Sequence, residues 1–118
     1  MRWKAFIAFA VLMALTSFAD SKKATVTGYV IDSACAYTKD LDRPISEQCA
    51  QECAKAGSPL VILAEDGTVY WPIDNARPAH GQNKRLMKVA GKKVTVSGQV
   101  HDRGGSKAIV IETVEASK

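Results

Sequence analysis

One pattern occurs twice in the chain. Val26-Thr27-Gly28-Tyr29-Val30-Ile31-Asp32 and Val96-Ser97-Gly98-Gln99-Val100-His101-Asp102 both read V-[ST]-G-x-V-x-D. The alternation of apolar and polar residues is that of a β-strand with one buried face. A glycine inside such a strand gives up packing and conformational entropy, so it marks a bulge or a sharp bend. Two bent strands are what a small closed barrel needs, because bending lets one strand serve both sides of the sheet.

The remaining pieces extend this reading. Leu60 to Ala64, the turn signal Glu65-Asp66-Gly67, and Thr68 to Ile73 form a hairpin. Asp74 to Asn83 carries Pro78, Gly81 and few apolar residues, so it is a loop. Asn83 is placed to cap a short helix, Lys84 to Val89, ended by Gly91. The strand from Val94 to Val100 follows, then the turn Asp102-Arg103-Gly104-Gly105 and a closing strand from Ala108 to Val114. The expected fold is mainly β. It is a five-stranded OB-like barrel with a helical insertion after strand 1 and a short helix before strand 4.

The insertion, Cys35 to Pro59, holds all three cysteines. Ser46 is a good helix N-cap and Glu47 suits the positive end of the helix dipole. Gly57 and Pro59 end the helix, which spans 46–56. Cys49, Ala50, Cys53 and Ala54 recur at helical spacing on one stripe of small residues. That stripe is expected to face inward, with Cys35 arriving across a polar loop.

Compartment follows from the first residues. Met1-Arg2-Trp3-Lys4, the apolar run Ala5 to Leu15, and Ser17-Phe18-Ala19 have the form of a secretory signal peptide cleaved after Ala19. The apolar run is short for a membrane span, which needs about 20 residues. The residue directly after Ala19 is Asp20 rather than a cysteine, which argues against a lipid anchor, so no stable membrane anchor is expected after cleavage. The expected organisation is a signal peptide over 1–19 and one OB-like domain over 20–118, exported to the periplasm or beyond the cell. Arg2 and Lys4 leave with the signal, so fourteen basic residues face twelve acidic ones, a net charge of +2. So small a charge, with no Lys/Arg run longer than two, argues against a nucleic-acid partner.

Three cysteines in a small exported chain favour a disulfide. A regular helix turn holds Cys49 and Cys53 too far apart to bond each other. Cys35 is therefore expected to pair with Cys53 or Cys49, Cys53 being favoured, and the remaining thiol to be buried. This makes the chain a non-enzymatic binding or structural module, its ligand or protein partner unspecified. The alternative is a soft-metal protein. Cys35, Cys49 and Cys53 have the donor set for Cu(I), and zinc would add His80, a loop residue free to reach, or His101. A thiol-redox role is third, since the C-x-x-C spacing is absent. Asp32 and Asp102 read as turn or cap residues. Tyr70 and Trp71 are neighbours in a strand and face opposite sides, whereas a stacking platform needs aromatics on one face. No catalytic motif is found, and no cofactor is expected beyond copper or zinc.

Three segments carry a resemblance: V-T-G-x-V-x-D-x-x-C at 26–35, C-A-x-x-C-x-x-x-G-x-P at 49–59, and A-G-K-x-V-T-V-x-G-x-V at 90–100. In them the chain resembles small exported bacterial proteins of unknown function with an OB-like barrel. The resemblance implies fold and compartment, with no assigned activity. Its members often carry a histidine three residues before the helix cysteines, where this chain has Ser46. That difference weakens the metal site and favours the disulfide staple.

Overall fold

A computed structural model describes residues 20–39 and 45–117. The expected signal peptide lies outside the described residues. Five strands, β1 (Asp20–Asp32), β2 (Leu60–Ala64), β3 (Val69–Ile73), β4 (Lys93–Arg103) and β5 (Ser106–Ala116), close into a barrel in the order β1-β2-β3-β5-β4. All pairings are antiparallel except β3 with β5, which run parallel. Helices α1 (Ser33–Thr38) and α2 (Glu47–Lys55) lie between β1 and β2. Helix α3 (Asn83–Leu86) and a 3₁₀ turn, Met87–Val89, precede β4. This is the OB-like barrel expected from the order of elements.

Both glycines of the repeated pattern act as bends. β1 pairs with β4 over 20–29 and with β2 over 28–32, so Gly28 sits where the strand passes from one neighbour to the other, opposite both Val94 and Ala64. A Cβ there would collide with the Leu63 carbonyl. Gly98 lies at a register shift between β4 and β5, and a Cβ there would collide with the Val110 carbonyl. Backbones approach at these points as only glycine permits.

Two differences from the sequence reading concern strand length and α1. Residues 20–23 lie ahead of the repeated strand pattern in the sequence but are strand, because they pair with 99–102 of β4. The α1 turn, unmarked in the sequence, is capped by Asp32 at the end of β1.

The barrel interior is built from Val26, Val30, Ile62, Val94, Val96, Val100, Ile109 and Ile111, all buried. Ala50 and Ala54 of α2, with Leu86 and Ala90, join the same core. A second cluster lies on the other face of β1 and β2. Ile31, Val61 and Leu63 are buried there against Cys35 and Ala36 of α1, Ile45, Val69 and Trp71. This second layer explains why Leu60 to Leu63 is continuously apolar, since a strand covered on both faces cannot alternate. The helices of the insertion therefore divide the work: α2 completes the inner core and α1 covers the outer sheet.

Candidate functional site

The insertion leaves β1 at Asp32 and rejoins the barrel at Leu60. A polar node ties these two points together. Asp32 is only 5% exposed, the one buried charged residue among those described. Its Oδ2 accepts from the Cys35 amide at 3.2 Å, and its Oδ1 accepts from the Ser58 hydroxyl. The Ser33 amide donates to the Pro59 carbonyl at 2.9 Å. A buried carboxylate with these donors is satisfied, as the interior requires.

Asn83 completes the node. It was expected to cap the short helix, but Gln82 is the N-cap residue and makes no side-chain cap bond. Asn83 instead turns toward the insertion. Its Oδ1 accepts from the Leu60 amide at 2.8 Å, and its Nδ2 donates to the carbonyls of Ser58 at 2.7 Å and Ala54 at 3.3 Å. One amide thereby serves three backbone groups where α2 ends and β2 begins.

The caps of α2 are those the sequence indicates. Ser46 Oγ accepts from the Cys49 amide at 3.1 Å. At the other end Gly57 has φ +100°, its amide donates to Ala54 and that of Ser58 donates to Cys53, which is a Schellman closure. Where α2 begins, Gly91 meets the backbone of Glu47 so closely that a Cβ would collide with it.

The cysteine stripe is rotated from the expected position. Ala50 and Ala54 are buried, whereas Cys53 is half-buried and Cys49 is exposed. Each residue advances about 100° around a helix, so seating the alanines inward leaves the cysteines along the flank. All three cysteines are free thiols, with no disulfide formed. The expected staple is therefore not closed in this structure, and the expected buried leftover thiol is corrected, because Cys49 faces solvent.

The thiols and Asp32 nevertheless influence one another. Burial pushes the Cys35 thiol above its usual range, and the Asp32 carboxylate and Cys49 push it further, with Lys39 pulling the other way. Burial likewise pushes Cys53 up, followed by Cys49 and Asp32. These thiols are held protonated, so neither has the lowered pKa of an activated nucleophile.

His80 is not brought to the cysteines' chemistry. Its Nδ1 lies 2.8 Å from Asp74 Oδ2, and its amide donates to the same carboxylate at 3.1 Å. The loop thus uses His80 to close on itself. Among the described residues, no group of three or more His, Cys, Asp or Glu side chains is arranged to hold a metal ion. His101 and Asp102 lie on β4, and Asp102 pairs with Lys107 rather than capping a turn.

A second feature was hidden in the sequence. Tyr70 packs against the inner core and Trp71 belongs to the outer layer, as adjacent strand residues must. The aromatic partner of Trp71 comes from α1: Tyr37 stacks beside it with ring centroids 6.5 Å apart and planes inclined by 28°. Trp71 Nε1 donates to Tyr37 Oη at 3.3 Å.

Comparison with known proteins finds no family model, no curated protein and no solved structure that matches the chain.

Proposed function

We propose that the chain is a small exported, non-enzymatic binding or structural module whose cysteines serve the insertion rather than a reaction. The observation that carries this reading is the state of the thiols. Neither Cys35 nor Cys53 has the lowered pKa of a reactive thiol, and the two stand on the two helices of the insertion, α1 and α2. Export rests on the leader-like residues 1–19. In an oxidising compartment Cys35 bonds Cys53 or Cys49. Two thiols lose two protons and two electrons to a protein disulfide, which is reduced to a dithiol. Closing a loop of about 15 residues in this way is worth roughly 3 kcal/mol in the chain-entropy model.

A second reading, soft-metal binding through Cys35, Cys49 and Cys53, is favoured by one observation. Burial, the Asp32 carboxylate and Cys49 all oppose ionisation of Cys35 and Cys53, and a bound cation would offset that cost. No donor group is pre-arranged among the described residues, so α1 and α2 would have to close on the ion. Peptide mapping of protein taken from the exporting cell, without reduction, separates the two readings. A Cys35–Cys53 or Cys35–Cys49 bond supports the staple. Three free thiols, with stoichiometric uptake of Cu(I) or Zn(II), replace it with the metal site.

A further inference from the structure

The Tyr37–Trp71 pair stands on a face of unusual composition. Strand register places Ala108 beside Trp71 and His101 beyond it, and Val110 beside Ile73 with Gln99 beyond. Val69 lies on the same outer side, and all of these residues are half-buried. Tyr37 is 65% exposed, although its helix is anchored by a buried carboxylate. The two strand rows that carry this face, Trp71–Ala108–His101 and Ile73–Val110–Gln99, contain no carboxylate, lysine or arginine. Beyond Gln99 the second row reaches Lys23 of β1, which forms an ion pair with Glu112 of β5 at 3.2 Å.

We propose that this face binds a neutral glycan, with Tyr37 and Trp71 as its stacking platform. The proposal deepens the binding-module reading and rests on it. Each kind of ligand asks something different of such a face. A nucleic-acid strand needs cations along its phosphates, and the one lysine that continues these rows, Lys23, is paired with Glu112. An extended peptide adding to the sheet needs an open strand edge, whereas β3 is paired with β2 on one side and β5 on the other.

A sugar ring suits what is present. Its axial C–H bonds form an apolar patch that lies on an aromatic face, and its equatorial hydroxyls reach sideways for hydrogen-bonding groups. Gln99 and His101 stand at the border of the apolar rows, and both can donate and accept. The rings of Tyr37 and Trp71 are nearly parallel but displaced, so they offer two adjacent steps rather than one covered sandwich. Their mutual hydrogen bond fixes the orientation of both rings before a ligand arrives, which lowers the cost of ordering them on binding.

The arrangement also gives the cysteines a purpose. Cys35 and Tyr37 lie on the same short helix. A bond from Cys35 to α2 would hold Tyr37 over Trp71.

The test is calorimetric titration of the purified protein with neutral oligosaccharides of β-linked glucose and of β-linked N-acetylglucosamine. A proline-rich peptide and a single-stranded oligonucleotide serve as competing probes. Binding of one sugar series is expected, weakened about tenfold or more by Tyr37→Ala, the scale of one lost ring stack. Trp71→Ala should do the same, and Tyr29→Ala, which removes an exposed aromatic outside these rows, should not. Tyr37 is mostly exposed, so its variant folds even where loss of Trp71 disturbs the outer layer. Failure of both sugar series to bind, sugar binding unaffected by Tyr37→Ala, or preference for the peptide or the oligonucleotide overturns the proposal. Binding of the peptide at this face would leave the broader binding-module reading standing, whereas three free thiols loaded with metal would remove that reading instead.

Discussion

Asp32 and Ser58 meet across the base of the insertion, the buried carboxylate accepting the serine hydroxyl. They stand at the exit of β1 and just before the entry to β2, so this bond closes a segment of chain longer than any other between strands. Asp32→Ala removes it together with the α1 cap. A loss of about 2–3 kcal/mol is expected from a deleted buried acceptor and a deleted cap. Urea unfolding of the reduced protein measures it, with Ser58→Ala expected to cost less because the carboxylate keeps the Cys35 amide.

Asn83 is expected to matter as much as a core residue. Asn83→Ala leaves the Leu60 amide and the Ser58 carbonyl without the partner Asn83 gives them, while the Ala54 carbonyl keeps the Gly57 amide, a cost of about 2–3 kcal/mol. Asn83→Asp should recover little, because it keeps the acceptor and loses both donors. The unfolding midpoints of the two variants, compared with the parent, decide this.

The bends at Gly28 and Gly98 are expected to tolerate no side chain. An added methyl group at either position meets a carbonyl of the neighbouring strand. Alanine at either site should cost about 1–3 kcal/mol, the usual range for overpacking. Alanine at Gly81, where open space surrounds the position, should be near neutral by the same thermal melts.

The thiols make stability pH-dependent in the alkaline range. Cys35 and Cys53 both have pKa values raised above the usual 9.0. A group with a raised pKa in the folded state holds its proton longer there than in the unfolded chain. Its contribution is complete below the unfolded pKa and is lost as pH climbs through the folded one. Reduced protein should therefore unfold at lower urea concentration at pH 10 than at pH 7. Cys35→Ser and Cys53→Ser should each shrink that difference, and an unchanged difference in both would contradict the thiols as its source.

Alkylation rates should rank the cysteines by exposure. Cys49 is exposed and should react first in native reduced protein, ahead of the half-buried Cys35 and Cys53. Timed labelling followed by peptide mapping reads the order directly.

Much of the architecture was legible in the sequence because it is recorded in local pattern. Alternation marked the strands, the two interior glycines marked the bends, and Ser46 and Gly57 marked the ends of α2 with the cap bonds found in the structure. Such signals act over a few residues, where backbone geometry alone decides which side chain faces where. The candidate site is different in kind. That Asp32 takes Ser58, that Asn83 turns from its own helix to the insertion, and that the α2 cysteines sit on the flank depend on how α2 seats its alanines against the barrel. Tyr37 and Trp71 are separated in the chain by α2 and β2 and meet only because α1 folds back over the outer sheet. Periodicity fixes the face a residue occupies within its own element. Which residue of another element it meets is set by packing between elements, and only the tertiary structure decided that.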